Sequence, residues 1–325
     1  MTRRRAALAL ALALTSPVAA HAQSPAVPRV GVVAAAQAKD VVGRTEAFLA
    51  GMKALGYEDG RNVAIEFVYA DERLDRLPAL VDALVKRKVD VIVSAGPSVT
   101  RALRRATTTI PIVMAFDADP VGSGSVASLA RPGGNVTGLS ILATDLVGKQ
   151  LEMLKAVAPK VARIVVFDNP SEPANAEVVR ALRRSAASLG VAVDTIPLDD
   201  PARIEAAFAA AKRGNADAVL VLSSPLVLFH RARLAAAANA TRLPAIYAFP
   251  EVVDAGGLMA YSVVFEDLFR RSATYVDRIL KGAKPGELPV EQPTTFQLAV
   301  NVEAARRIGL TIPADLLARA DRVVR

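Results

Sequence analysis

The sequence predicts an α/β protein made of two doubly wound parallel-sheet lobes joined by three crossovers. Three observations support this class. From Arg29 onward, short β-branched runs alternate with longer amphipathic stretches, the apolar runs are continuous, and the alternation restarts after residue 141. Continuous apolar strands separated by helices are typical of parallel sheets covered on both faces. The pattern holds about ten strands, too many for one nucleotide-binding unit, so we expect two lobes of about 150 residues each.

The predicted strands follow one another in chain order with helices between them. Apolar residues recur at helical spacing in the intervening stretches, as at Leu77, Leu80, Val81 and Leu84. The strands are predicted at residues 29–34, 63–69, 89–94, 110–116, 136–141, 163–167, 191–197, 216–222, 245–249 and 258–262.

The lobes are predicted to be joined by short ordered segments, because no stretch rich in Gly, Ser or Pro separates the two halves. We expect the chain to cross between lobes at residues 139–145, 254–257 and 282–293. The first lobe is then predicted to hold 28–140 and 258–283, and the second lobe 141–257 and 284–325.

The first 22 residues have the features of a secretory signal. Arg3, Arg4 and Arg5 precede an apolar run at residues 6–14, and the segment Ala20-His21-Ala22 has the small-x-small pattern of a cleavage site. The apolar run is too short to span a bilayer, although a retained anchor is the alternative. We therefore expect a periplasmic protein exported by a signal peptide.

Composition excludes several kinds of chemistry. The 325 residues include no cysteine and two histidines, so disulfides, thiol nucleophiles and Cys-ligated metals are ruled out, and removal of the signal leaves His230 alone. We expect no enzyme activity, no cofactor and no metal.

The basic cluster Arg101, Arg104 and Arg105 lies on one helix face without aromatic residues nearby, which favours a solvated surface over nucleic-acid binding. A monomer is expected.

Candidate ligand contacts lie just after the predicted strands, because open parallel sheets bind ligands beyond the carboxyl ends of their strands. Several of these loops contain a proline that suits the first turn of a following helix, which leaves backbone N–H groups free for an anion. The candidates are Gln37, Ser94, Gly96, Ser98, Phe116, Asp117, Asp168, Asn169, Ser171, Ser223, Ser224, Phe249 and Glu251.

The charges of these loops suggest the chemistry of the ligand. Acidic residues outnumber basic ones at the predicted edges. The pattern therefore favours a small molecule with an amine or hydroxyls facing Asp168 or Glu251, and an apolar portion against Tyr247, Phe249 or Phe116.

Several segments resemble the ABC-transporter substrate-binding proteins that include the tryptophan/tyrosine-type periplasmic binding proteins. The most specific are Ile110-Pro-Ile-Val113, Asp119-Pro-Val-Gly122 and Ser128-Leu-Ala-Arg-Pro-Gly-Gly-Asn-Val-Thr-Gly138. Further matching segments are residues 148–155, 267–282, 290–293, 309–313 and 317–321. The resemblance implies a type I periplasmic-binding fold that delivers a solute to a membrane permease. It also implies ligand contacts in the loops at 36–37, 94–98, 116–117, 168–171, 223–224 and 249–251.

The predicted function is capture of a small polar or amino-acid-like molecule by clamshell closure of the two lobes, for an ABC importer. Two alternatives stay open at the level of sequence. One is a secreted sensing module that hands its closed state to a receptor. The other is a two-lobe hydrolase or transferase with Asp117 and Asp168 as acid and base.

Overall fold

The computed structural model describes residues 27–172 and 174–325. Its first half contains one wholly parallel five-stranded sheet with helices on its faces. In chain order the elements are β1 (Arg29–Ala34), α1 (Val42–Ala54), β2 (Ala64–Tyr69), α2 (Leu77–Lys86), β3 (Val91–Ala95), α3 (Pro97–Ala106), β4 (Ile112–Asp117) and β5 (Val136–Ser140). The strand order is β2-β1-β3-β4-β5.

The remaining elements build a second, seven-stranded sheet and its helices, together with one helix that returns to the first sheet. They are α4 (Ala143–Val157), β6 (Arg163–Asp168), α5 (Asn175–Ser188), β7 (Ala192–Pro197), α6 (Ile204–Arg213), β8 (Ala218–Val221), α7 (Pro225–Phe229), α8 (Arg231–Thr241), β9 (Ala245–Tyr247), α9 (Glu251–Asp254), β10 (Met259–Val263), α10 (Phe265–Leu280), β11 (Phe296–Asn301), α11 (Val302–Arg307), α12 (Ala314–Arg319) and β12 (Arg322–Val324). The strand order is β12-β11-β10-β9-β8-β6-β7, and β11 is antiparallel to β10.

Two α/β units with parallel sheets confirm the predicted fold class. All ten predicted strands are present as β1 to β10, with ends that differ by at most two residues. The sequence interpretation missed β11 and β12. The prediction of parallel sheets did not anticipate an antiparallel strand such as β11, and β12 has only three residues.

The chain crosses between the sheets at three places that differ in part from those predicted. The first crossing joins β5 to α4, inside the predicted segment 139–145. The second lies at Val264, because β10 belongs to the second sheet whereas α10 packs on α1 and β4. The third follows Glu291, which still bridges Leu139 of the first sheet. We call the first sheet with α1–α3 and α10 the first lobe, and the second sheet with the other helices the second lobe.

Two predicted boundaries are therefore wrong. Residues 258–263 were expected in the first lobe, but β10 takes its hydrogen bonds from β9 and β11, in the middle of the second sheet. Residues 284–291 were expected in the second lobe, but the N–H of Gly133 donates to the carbonyl of Gly286 at 3.1 Å, in the first lobe. The expected crossover at 254–257 is instead the turn from α9 to β10.

An aromatic cluster packs where the two lobes join. The ring of Phe116 at the end of β4 lies 5.1 Å from the ring of Phe265 and 6.3 Å from that of Phe269, both on α10. Phe265 in turn lies 5.5 Å from Phe249, which follows β9 in the second lobe. Such edge and tilted contacts stabilise a fixed arrangement at the junction.

The predicted signal at residues 1–22 lies outside the described residues. Within the part of the chain that the structure describes, no helix combines the length and apolar character needed to cross a bilayer. The structure therefore leaves the export signal as a prediction.

Candidate ligand-binding cleft

A cleft lies between the lobes, at the carboxyl ends of strands from both sheets. The residues that follow β1, β3, β4, β6, β8 and β9 line it, as expected for ligand sites in open parallel sheets. It holds about 820 Å³ of empty space, a figure that includes the solvent at its mouth. Most of its lining is apolar. Its shape and lining suit a small molecule with a substantial apolar part.

The predicted site residues divide into those that line this cleft and those that lie outside its lining. Six line it: Gly96, Ser98, Phe116, Ser223, Ser224 and Phe249. Seven do not: Gln37, Ser94, Asp117, Asp168, Asn169, Ser171 and Glu251. Direct ligand contact stays a prediction for the first group, whereas the second group has partners within the protein or lies below the surface of the cleft.

The turn between β3 and α3 is braced from beneath. Ser94 Oγ lies 2.7 Å from Thr100 Oγ1, and Thr100 Oγ1 donates to the carbonyl of Gly96 at 3.2 Å. Gly96 has a φ of 108°, a conformation that glycine adopts without steric cost. Pro97 then begins α3 as its pre-set φ favours. Ser94 thus supports the turn, and Gly96 and Ser98 face the cleft.

The loop after β6 is held by its own side chains. Asn175 Nδ2 donates to Asp168 Oδ1 at 2.9 Å and to the carbonyl of Asn169 at 3.2 Å. Asn169 Oδ1 accepts from the N–H of Ser171 at 2.9 Å. The amine-acceptor role predicted for Asp168 does not match this geometry, because its carboxylate faces Asn175 and lies outside the lining.

Two other predicted residues are also engaged elsewhere. Gln37 Nε2 donates to Glu72 Oε1 at 2.9 Å within the first lobe. Glu251, at the start of α9, pairs with the buried Arg44 of α1, so its carboxylate meets a protein cation across the cleft. An amine of the ligand facing Glu251 would have to compete with this ion pair.

Sequence reasoning missed several lining residues because they do not follow strands on the chain. Arg44 and Thr45 come from the first turn of α1, and Phe67 and Tyr69 from alternate positions of β2. The two rings stack with centroids 6.4 Å apart, and Tyr69 Oη lies 3.2 Å from Thr45 Oγ1. Phe67 and Tyr69 stand two positions apart in a predicted strand, and this spacing, which places both rings on one face of the sheet, could have been recognised in the sequence.

The charged residues of the described lining are Arg44 and Glu172. Arg44 is neutralised by Glu251, and its guanidinium lies over the ring of Phe265, 4.4 Å from the centroid. Such contact with an aromatic face adds to the ion pair in a desolvated setting. Glu172 is 6% exposed and accepts a hydrogen bond from Ser98 Oγ at 2.8 Å. Burial raises the pKa of Glu172, against the opposing effect of the Ser98 hydrogen bond.

Several polar contacts cross from one lobe to the other. The Ser98–Glu172 bond and the Arg44–Glu251 pair both do so. In addition, Arg101 Nη1 donates to the carbonyl of Ser171 at 2.8 Å. A further ion pair joins Arg231 Nη2 of α8 to the buried Asp40 Oδ1 at 2.7 Å.

Asp117 lies under the cleft, close to the first crossover. Its side chain is buried, Oδ1 accepts from the N–H of Asp119 at 3.2 Å, and Oδ2 has no hydrogen-bond partner among the described residues. Burial raises the pKa of Asp117 to about 7. Tyr247, predicted to meet an apolar ligand, is buried in the second lobe and outside the lining, and burial raises its hydroxyl pKa.

Residues 29–324 match the sequence profile of the ABC transporter substrate-binding proteins. The match spans both lobes and all three crossovers. The chain belongs to this family. Substrate-binding proteins of ABC transporters bind a small solute outside the cytoplasm and work with a membrane permease, so the function predicted from the sequence is confirmed at this level.

Three proteins are similar to this chain over most of its length. A tyrosine-binding protein of Clostridioides difficile (strain R20291) is 27% identical over 264 residues, 81% of this chain and 75% of its own length. An ABC domain from Streptococcus pneumoniae, solved in complex with L-Trp, is 25% identical with a TM-score of 0.84, covering 91% of this chain and 99% of its own.

A substrate-binding protein with adhesive properties from Clostridium difficile, solved in a ligand-free, open form, is also 25% identical. Its TM-score is 0.69, with 92% of this chain and 99% of its own covered. At equal sequence identity, this family member superposes better on the L-Trp complex than on the open form. In the structure of this chain, polar contacts that cross the cleft join the two lobes.

Proposed function

We propose that this substrate-binding protein captures an amino acid with a large apolar side chain between its lobes and presents the closed complex to an ABC permease. The observation that carries the proposal is the mostly apolar cleft at the facing strand ends, bridged by polar contacts from both lobes. Closure over a ligand buries its apolar part and shifts the population toward the closed form.

The lining supports an apolar and aromatic side chain. Phe67, Phe116 and Phe249 contribute ring faces and edges to the cleft, and aromatic pairs add to the free energy of burial. Ser98 and Glu172 add a hydrogen-bonded pair of polar side chains to the same cleft. The ligands named for the tyrosine-binding relative and the L-Trp complex, two amino acids with large aromatic side chains, support this ligand class.

We further propose that the cleft performs no reaction. The acid and base considered for a hydrolase, Asp117 and Asp168, do not line the cleft, and Asp168 is hydrogen-bonded to Asn175. Among the described residues, no group of three metal-ligating side chains could hold a metal ion. A proton-transfer pair would need both carboxyl groups within hydrogen-bond reach of one substrate.

The chain's place in the cell is proposed from its first residues. Arg3 to Arg5 and the apolar run after them favour export to the periplasm with cleavage after Ala22. We propose that the exported form acts as a monomer. Detection of the cleaved form in a periplasmic fraction would test this placement.

The test of ligand capture is a thermal-shift and calorimetric screen of residues 23–325. L-Tyrosine, L-tryptophan and L-phenylalanine are compared with glucose and adenosine. A ligand at about a hundred times its Kd should add roughly 2.7 kcal/mol to the free energy of unfolding. We expect at least one of the aromatic amino acids to bind without chemical change, as checked by mass spectrometry of the recovered ligand.

A variant that fills the cleft provides the control. Ala36 lines the cleft, so Ala36→Trp should abolish the shift. Ala318→Trp places the same side chain on an exposed face of α12 and should leave the shift intact. Turnover of a probe, or an unchanged shift in Ala36→Trp, would contradict the proposal.

A further inference from the structure

Glu172 presents a buried carboxyl group to the cleft, and within the described residues no salt bridge joins it to a protein cation. One carboxylate oxygen accepts from Ser98 Oγ at 2.8 Å, and no hydrogen bond to the other is found in that part of the chain. The charged neighbour Arg101 favours the charged form of Glu172 from a distance, but its guanidinium donates to the carbonyl of Ser171 and not to the carboxylate. A carboxylate in such a place favours the arrival of a positive charge.

The other cation of the cleft is already engaged. Arg44 pairs with Glu251 and lies over Phe265, so it neutralises a different carboxylate. Counted together with Glu251, which lies outside the lining, the charged groups at the cleft hold one carboxyl more than Arg44 can pair with, and that group is Glu172 in mostly apolar surroundings. Because a lone charge is costly to bury, the closed cleft is complementary to a ligand that brings the opposite charge.

We infer that Glu172 accepts the positively charged ammonium group of the ligand, with Ser98 holding the carboxylate in position. This inference rests on the proposed function and assigns the recognition of the ligand's amine to one residue of the cleft. Sugars and carboxylic acids without an amine leave Glu172 unneutralised, so the cleft selects against them.

A purely structural role for Glu172, as a tie between the lobes, makes a different prediction. Glu172→Gln keeps an acceptor oxygen for Ser98 but removes the charge. Ser98→Ala removes the tie but keeps the charge. A tie predicts equal losses for amine and non-amine ligands, whereas an ammonium site predicts a loss that depends on the amine.

The experiment measures calorimetric affinities for L-tyrosine and its desamino analogue, 3-(4-hydroxyphenyl)propionate, and for L-tryptophan and indole-3-propionate. In the wild type the amino acids should bind more tightly than their analogues. Glu172→Gln should weaken the amino acids by about 10- to 100-fold, the range for hydrogen bonds to charged groups, and leave the analogues unchanged or tighter. Glu177→Gln, at a half-buried position of α5 where the glutamate pairs with Arg180, is the matched control.

The outcomes separate the two proposals. If the wild type binds the desamino analogues as tightly as the amino acids, or if Glu172→Gln weakens both alike, the ammonium site is overturned and ligand capture stands. If the wild type binds none of the four probes, both proposals fail. Unfolding temperatures of the empty variants show that each is folded, and Ser98→Ala gives an independent measure of the tie.

Discussion

At the scale of single residues, Asp117 is the buried acid that the ligand does not explain. Its Oδ2 atom lacks a hydrogen-bond partner among the described residues, and Asp119 supplies the single backbone N–H donated to Oδ1. Burial raises the pKa of Asp117 to about 7, whereas an unfolded aspartate titrates near about 4. Between about pH 4 and about pH 7 the folded protein therefore keeps this carboxyl group protonated, whereas the unfolded chain has lost the proton.

Replacement of this group should stabilise the protein at alkaline pH. Since the folded-state pKa is raised, the carboxyl lowers stability progressively as the pH rises from about 4 to about 7. Asp117→Asn removes that titration. We expect the variant to gain about 1–3 kcal/mol in unfolding free energy over the wild type at pH 8, and much less at pH 5, in denaturant titrations.

The difference between the variant and the wild type, measured at each pH, isolates this group from other titrations. Asp82→Asn, on the exposed face of α2, controls for the loss of one negative charge. A gain for Asp117→Asn that is as large at pH 5 as at pH 8 would show that the carboxyl is not protonated in the folded protein.

The sequence predicts a residue of the cleft correctly where its place depends only on the strand that it follows. Gly96, Ser98, Ser224 and Phe249 follow strands, and the rule for parallel sheets places them at the cleft. The partner of a side chain was not predictable. Glu251 follows a strand too, but its carboxylate meets Arg44, 207 positions away along the chain.

At the scale of elements, the continuous apolar strands made ten of the twelve strands predictable. The sequence did not predict as well which lobe each element belongs to. Strand β10 and helix α10 are neighbours in the chain, but hydrogen bonds hold β10 in the second sheet while the apolar face of α10 packs on α1. A Cβ at Gly51 of α1 would lie 2.6 Å from the carbonyl oxygen of Arg270, so this packing requires glycine.

Helices α1 and α9 are linked by an ion pair that should hold the closed form. Arg44 and Glu251 belong to different lobes, and their contact exists only when the lobes meet. Removing one partner of a buried pair leaves the other charge unpaired. We therefore expect Glu251→Gln to weaken binding of L-tyrosine by about tenfold, measured by calorimetry, because closure becomes less favourable.

Helix α9 itself offers the matched control. Asp254 pairs with Arg322 at 2.8 Å, and both lie in the second lobe. Asp254→Asn removes an ion pair from the same helix without crossing the cleft, so the affinity should stay within about twofold of the wild type. Tighter binding in Glu251→Gln would show that a freed Arg44 contacts the ligand instead of holding the lobes together.

At the scale of the whole molecule, the charges of the cleft couple ligand binding to closure. With the lobes closed and no ligand bound, Glu172 is buried with no salt bridge among the described residues, and the cost of burying its charge favours opening. An ammonium group of the ligand removes that cost. A ligand shifts the equilibrium only by its difference in affinity between the two forms, and this charge supplies such a difference.

Closure can be measured directly because the sequence contains no cysteine. Spin labels at Arg104→Cys on α3 and Ala176→Cys on α5 report the distance between exposed positions of the two lobes. Saturating L-tyrosine should move the distance distribution to its shorter component in the wild type. In Glu172→Gln the same ligand concentration should leave a larger open fraction, because the ammonium no longer favours the closed form.

Labels at Ala176→Cys and Ala192→Cys, both in the second lobe, should not respond. An unchanged distance between the lobes in a protein that binds L-tyrosine would mean that the cleft is already closed when empty, and Glu172 would then act on affinity without acting on closure.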